Sequence, residues 1–329
     1  METRRLGSLN VSVVGLGCNT FGGFGTPIDE AQVARVVGAA LDNGITLFDT
    51  ADVYGDGISE ERLGRSLGSR RDQAVIATKI GGRRSSGLAQ MHNVGGGGTT
   101  RPDEPPGGAS REAIIYGVEE SLRRLGTDRI DLYQIHFPDP NVRIEEMLDA
   151  FNELVTAGKV LEIGCSNFSA DQLQEAGGIA SKKGIRRFAS VQNEMSLLRP
   201  RPLEDVVPMC ESLGMAFIPY SPLTNGLLSG KYQRGLKPGT DTRFGNIAPE
   251  MAERAMTDRT FDRIDRLEAF ARERGHSVLE LAIAWLLSVP AVTSVIAGAT
   301  RPEQVVANAA AAPWHLTDAE RDEALALSR

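Results

Sequence analysis

Cysteine is scarce in this chain of 329 residues. The three thiols, Cys18, Cys165 and Cys210, lie far apart, an odd set that offers neither a disulfide framework nor zinc-ligand spacing. Histidine is almost as rare. His92, His136, His276 and His315 lack ligand spacing and no cysteine accompanies them, so no metal site is expected. Long apolar runs are missing too. No stretch reaches the length of a membrane span and the N-terminal segment has no extended apolar core, so the chain is read as cytoplasmic, with no membrane partner. A surplus of positive charge is also absent. The formal net charge is −7 and the basic pairs, such as Arg70/Arg71 and Arg186/Arg187, are scattered, which argues against a nucleic-acid partner. No Walker loop or His-Glu-x-x-His is present.

What the chain does have is alternation. Eight short apolar runs recur, each leading into a segment with helical spacing: Val11–Leu16, Ile45–Asp49, Ala74–Thr78, Ile130–Ile135, Val160–Gly164, Arg187–Val191, Met215–Pro219 and Val292–Ile296. Near-continuous apolar strands separated by helices predict a parallel sheet buried on both faces. Asp29/Gln32, Ser169/Gln172 and Ser277/Glu280 have capping-box spacing, Ser110 suits a cap for a helix ending at Gly126, and Pro302 suits a first helical turn. Phe261, Ile264, Leu267 and Phe270 mark one buried helical face. A chain of this length often holds two domains, but α/β barrels run this long as one. The expectation is an α/β fold, a (β/α)8 TIM barrel with eight parallel strands, a short N-terminal hairpin and long active-site loops, forming one domain over 1–329. The alternative is a doubly wound open sheet. It is weakened because Gly15-Leu-Gly17 lacks the third glycine of a dinucleotide-binding turn. Two regions break the rhythm, 81–109 and 224–258, both rich in Gly, Pro and basic residues. The first is expected to be a mobile lid on the substrate pocket, the other reading being a solvated insertion without a role.

A barrel gathers the C-terminal ends of its strands onto one rim. The runs lead there to Gly17-Cys18-Asn19, to Asp49 and Tyr54, to Lys79, to His136, to Ser166-Asn167, to Gln192-Asn193, to Tyr220-Ser221 and to Gly298-Ala299-Thr300. Taken singly, each has a plain structural explanation. Taken together, four of them make chemistry. Tyrosine is a poor acid near neutrality. A neighbouring lysine cation stabilises phenolate, a carboxylate offsets burial of the lysine, and a neutral histidine can orient a carbonyl.

With those residues in view the sequence resembles the aldo-keto reductases. The likeness rests on Gly15-Leu-Gly17, Asp49-Thr-Ala-x-x-Tyr54-Gly55, Thr78-Lys79 and Asp131-Leu-Tyr-Gln-Ile-His136-x-Pro138. It continues through Gly158-Lys159, Ile163-Gly-Cys-Ser-Asn-Phe168, Val191-Gln192-Asn-Glu194, Tyr220-Ser-Pro-Leu223, Gly230-Lys231-Tyr232 and Gly298-Ala-Thr-x-Pro-Glu-Gln304 with Asn308. These landmarks span essentially the whole chain in family order. The resemblance implies a catalytic tetrad of Asp49, Tyr54, Lys79 and His136, with Tyr54 as general acid in reduction of an aldehyde or ketone and as base in oxidation of an alcohol. It implies NADPH/NADP+ as cofactor, with NADH less favoured. Gly17, Cys18, Asn19 and Asp49 would lie at the cofactor. Ser166, Asn167 and Gln192 would hold the carboxamide, and Tyr220 would stack on the nicotinamide. Ser221, Pro222, Leu223, Lys231 and Arg243 would follow the pyrophosphate. Gly298, Thr300, Arg301, Gln304 and Asn308 would surround the adenosine end, with Arg301 or Gln304 at the 2′-phosphate.

Cys18 and Asn19 stand where family members often carry Thr and an aromatic. The likeness extends to β subunits of voltage-gated potassium channels, which share the fold and depart at the histidine position, whereas His136 is present here. A third reading makes Lys79 the nucleophile of a Schiff-base lyase.

Overall fold

The computed structural model describes residues 1–23, 26–82 and 108–329. The loop expected at 81–109 therefore lies almost wholly outside the described residues. The chain opens with an antiparallel hairpin, β1 (Thr3–Leu6) and β2 (Leu9–Ser12), turning at Gly7 with φ +56. Eight parallel strands come next: β3 (Val14–Gly17), β4 (Leu47–Asp49), β5 (Val75–Ile80), β6 (Ile130–Ile135), β7 (Val160–Ser166), β8 (Ser190–Gln192), β9 (Ala216–Phe217) and β10 (Val295–Gly298). Their order is β10-β3-β4-β5-β6-β7-β8-β9. Thr293 N donates to Phe217 O at 2.9 Å and Ile296 N to Pro219 O at 3.0 Å, which joins the last strand to the ninth and closes the ring. This is the (β/α)8 barrel expected, with its N-terminal hairpin.

The apolar runs and the strands differ at their edges. Val11–Leu16 divides at Val13, its first residues ending the hairpin and its last starting the barrel. The runs at Ile130 and Val160 start with their strands, and the other five later runs start ahead of their ladders, because a strand becomes buried before its pairing begins; Phe188 is buried, yet β8 starts at Ser190. Side chains alternate across a strand. Leu47, Ala77, Leu132, Ala216, Ile218 and Ile296 fill the barrel with Leu6 and Val11 of the hairpin packed beneath them. Two residues further along β4 and β5 the same face presents Asp49 and Lys79.

Helices α1 (Glu30–Asp42), α2 (Ile58–Leu67), α3 (Arg111–Leu125), α4 (Ile144–Thr156), α5 (Ala170–Lys183), α6 (Val206–Leu213), α7 (Pro249–Ala255), α8 (Asp258–Glu273), α9 (Val278–Leu287), α10 (Pro302–Ala310) and α11 (Asp318–Leu327) accompany the strands. Ser169 and Ser277 make the full capping boxes expected, and Ser110 caps α3, which ends at a left-handed Gly126. The Asp29 box is half made. Asp29 accepts from Gln32 N, but the Gln32 amide is drawn away to Thr300 O at 2.9 Å, tying α1 to the rim beside α10. The expected face of α8 is buried against the main core, with Phe261, Ile264, Leu267 and Phe270 all inside it.

Candidate active site

The site begins with a buried ion pair. Lys79 does not come after its strand as expected; it sits within β5, pointing into the barrel mouth, and is 1% exposed. Its Nζ donates to Asp49 Oδ2 at 2.8 Å and to Thr50 O at 2.7 Å. The other carboxylate oxygen accepts from Gln192 Nε2 at 2.8 Å. Such complete pairing is what makes a buried charge tolerable. Burial by itself would depress the Lys79 pKa, but the Asp49 carboxylate and the Tyr54 phenol beside it raise it above its ordinary value. The side chain is an ammonium at neutral pH. That disfavours the Schiff-base reading, which needs a free amine.

Tyr54 lies in the turn between β4 and α2, and its ring centroid is 5.2 Å from Lys79 Nζ. The backbone there is tightly fixed. A Cβ on Gly22 would fall 2.3 Å from Tyr54 C, and one on Gly55 would fall 2.4 Å from Gly22 O, so two glycines let the turns meet backbone to backbone. Burial pushes the Tyr54 pKa up, Lys79 pulls it down and Asp49 opposes that pull. The balance lies above the ordinary tyrosine value, so the phenol keeps its proton at neutrality. His136 comes directly after β6. Its ring stands edge-on to Tyr54, with centroids 5.9 Å apart and planes at 83°, and stacks on Phe137. A Cβ on Gly82 would meet His136 Nδ1 at 2.9 Å and Val53 Cγ1 at 2.7 Å, so the ring keeps its place only while residue 82 is glycine.

Tyr54 and His136 stand at one end of a cleft of about 650 Å³. Of the other residues singled out in the sequence, Gly17, Cys18, Asn19, Asp49, Ser166, Asn167, Gln192, Tyr220 to Leu223, Lys231, Arg243, Gly298, Thr300, Gln304 and Asn308 line it. Three do not. Lys79 is buried behind Tyr54, Asn193 spends its side chain on Asn167 N and Phe168 O, and Arg301 is exposed at the N-terminus of α10. The wall at β7 and β8 is cross-linked. Ser166 Oγ donates to Gln192 O at 2.7 Å. Asn167, held at φ +63, donates to His136 O at 2.9 Å and accepts from the Tyr220 hydroxyl at 2.9 Å. Burial pushes the Tyr220 pKa up, with Glu194 adding to the effect.

Two cations, Lys231 and Arg243, also line the cleft. Lys231 Nζ lies 5.1 Å from the Tyr232 ring centroid, and a Cβ on Gly226 would come within 2.7 Å of it. Burial lowers the Lys231 pKa, Asp241 counteracting it, and burial lowers that of Arg243 as well. Cations held in a cleft at this desolvation suit an anionic guest such as phosphate. At the far end, Gln304 Oε1 accepts from Thr300 N at 2.8 Å, so that oxygen braces the loop before α10. Asn19, Gly17 and Gly298 share that end, the Asn19 Oδ1 lying 3.8 Å from where a Gly298 Cβ would be.

The cleft also contains residues that strand order does not single out. Glu194 and Arg199 pair at 2.6 Å beside Tyr220, and Gly22, Gly23 and Thr26 form its rim. The Gly22-Gly23 dipeptide is the one available sequence signal for that rim. Among the described residues no group of three or more His, Cys, Asp or Glu could hold a metal ion, and no helix is long and apolar enough to cross a membrane.

Comparison with known proteins agrees with this architecture. Residues 13–327 match the profile of the Aldo/keto reductase family. A probable voltage-gated potassium channel subunit beta of Oryza sativa is 33% identical over 313 residues, covering 94% of this chain and 90% of the relative. An aldo-keto reductase of Bacillus subtilis is 33% identical over 322 residues, covering 96% and 89%. Among solved structures, the glycerol dehydrogenase of Gluconobacter oxydans superposes with a TM-score of 0.81 at 30% identity, over 99% of this chain and 94% of that one. The chain belongs to the aldo/keto reductase family, and with it to the oxidoreductases that act on carbonyl compounds.

Proposed function

We propose that the protein reduces an aldehyde or ketone to an alcohol with NADPH, reversibly, and that Tyr54 gives the proton. The observation that carries this reading is the Asp49–Lys79–Tyr54 alignment at the floor of the cleft, with His136 edge-on beside the phenol. The bound nicotinamide supplies the hydride. Tyr54, protonated at neutrality, donates to the carbonyl oxygen as charge develops there. Lys79, held as an ammonium by Asp49 and Thr50 O, stabilises the tyrosinate left behind. His136 orients the carbonyl by hydrogen bonding. In oxidation the same tyrosinate takes the proton back.

The residues fit a nicotinamide dinucleotide. Ser166, Asn167 and Gln192 present amide and hydroxyl groups for a carboxamide, and Tyr220 gives a ring face. Lys231 and Arg243 offer charge to the pyrophosphate, with Ser221, Pro222 and Leu223 along it. Gly17, Cys18, Asn19, Gly298, Thr300, Gln304 and Asn308 complete the groove. Preference for NADPH rests on Arg301, an exposed cation at the start of α10, where a 2′-phosphate also gains the helix N-terminus. The whole chain acts as one catalytic domain, in a reducing cytoplasmic setting that keeps Cys18, Cys165 and Cys210 as buried thiols.

A channel-associated regulatory subunit is the second reading, favoured by the names of three relatives. NADPH absorbance monitored over a panel of aldehydes, ketones, sugars and ketosteroids separates the two. The enzyme reading expects substrate-dependent consumption, weaker with NADH, and Arg301→Ala weakening NADPH more than NADH. Tight NADPH binding with no turnover on any carbonyl would favour the regulatory subunit.

A further inference from the structure

Ser59, in the first turn of α2, is fully buried and does not line the cleft. Its bonds nevertheless run to three segments that form the site. Ser59 N donates to Tyr54 O at 3.1 Å. Its hydroxyl donates to Cys18 O at 2.8 Å and lies 2.8 Å from Thr50 Oγ1. A hydroxyl has one proton, and that of Ser59 goes to Cys18, so Thr50 is the donor in the pair. The Thr50 carbonyl is one of the two acceptors that hold Lys79 Nζ, at 2.7 Å. Cys18 N in turn donates to Asp49 O at 2.8 Å. One serine thus braces the Tyr54 carbonyl, the peptide that seats the Lys79 ammonium, and the cleft wall at Cys18.

We propose that Ser59 is a positioning residue for proton transfer, fixing Tyr54 and Lys79 relative to each other through the Thr50–Ser59–Cys18 hydroxyl chain. This rests on the proposed roles of Tyr54 and Lys79. Gly22 packs against the Tyr54 carbonyl and Ser59 N donates to that same carbonyl, so the backbone that carries the phenol is held by both. Without the Ser59 hydroxyl, the Thr50 side chain and the Cys18 carbonyl lose a partner in a site closed to water. Thr50 N stays tied to Ala77 O at 2.8 Å, so the loss acts on the Thr50 side chain and the carbonyl next to it, whose hold on the ammonium loosens. Burial already pushes the Tyr54 pKa up, and Lys79 is what pulls it back. A weaker hold on Lys79 therefore raises the pH at which Tyr54 can serve as base. A serine that only stabilises the core would lower the melting temperature and leave that pH unmoved.

The test is the pH profile of alcohol oxidation with NADP+, whose rising limb reports tyrosinate. Ser59→Ala should lower kcat about 10- to 100-fold, the scale of a small misplacement of reacting groups. It should leave KM for the alcohol and NADPH affinity unchanged, and displace the limb upward by about one pH unit. Ser59→Thr, which keeps the hydroxyl, should restore both. Thr50→Val, nearly isosteric, should reproduce the alanine result and carries the test where Ser59→Ala folds poorly. The double variant should be no worse than either single one, since the two hydroxyls form one chain. A limb that stays at the wild-type pH in both Ser59→Ala and Thr50→Val overturns the assignment. If Tyr54→Phe retains wild-type turnover, the reading of Tyr54 itself fails and the Ser59 role falls with it. If Tyr54→Phe is inactive and the limbs do not move, only Ser59 is misassigned.

Discussion

The two ends of the barrel both bury ion pairs, and they use them differently. At the N-terminal end Arg71 meets Asp131 at 2.8 Å, and the same Asp131 oxygen accepts from Ile76 N. Nearby, Glu162 takes Arg186 at 2.9 Å and Ser8 N at 2.7 Å, so the hairpin is clamped to β7. There the charges end on backbone and on partly exposed arginines. At the other end Lys79 and Asp49 are similarly close, but both are almost wholly buried, and the ammonium also adjoins the phenol of Tyr54 at a cleft. A pair whose partners are all scaffold stabilises the fold. A pair that also adjoins a proton-bearing group at a cavity can do chemistry.

Exchanging the upper pair should break chemistry first. Lys79→Met should lower kcat by about 10²–10⁴-fold, the range for general acid–base catalysis. It removes the cation that opposes burial at Tyr54, so the tyrosinate limb of residual alcohol oxidation should move to higher pH. Stopped-flow or steady-state rates across pH measure both. An unmoved limb would mean that Lys79 does not set the proton donor. The lower pair should show the reverse. Asp131→Ala takes an acceptor from Arg71 and from the Ile76 N–H and should cost about 2–4 kcal/mol of stability. Denaturant unfolding would read that loss, while kcat per folded molecule stays at the wild-type value. A selective fall in kcat at full stability would erase the distinction between the two ends.

Much of this is legible in the chain because barrel topology turns strand order into a rim. Asp49, Tyr54, His136, Ser166, Gln192 and Tyr220 can be read in this way, and the caps at Ser110, Ser169 and Ser277 come from local pattern. The rest depends on the direction of a side chain across tens of residues. The Gln192 amide turning to Asp49, the Gln32 amide leaving its capping box for Thr300, and Ser59 reaching Cys18 have no periodic signature. The apolar run sets Lys79 one step too late, because it gives no sign that its strand carries an inward lysine. The second barrel strand also hides a role just past its end: Thr50 looks like a spacer between Asp49 and Tyr54, yet its carbonyl seats the ammonium.

The central claim is that Tyr54 supplies the proton from a phenol balanced between burial and Lys79. Replacing Tyr54 by Phe deletes the transferable proton and little else. On the best carbonyl substrate of the panel, single-turnover NADPH oxidation by Tyr54→Phe should fall by about 10²–10⁴-fold. NADPH affinity, by fluorescence titration, should stay near the wild-type value. Wild-type rates in that variant would contradict the account at its centre.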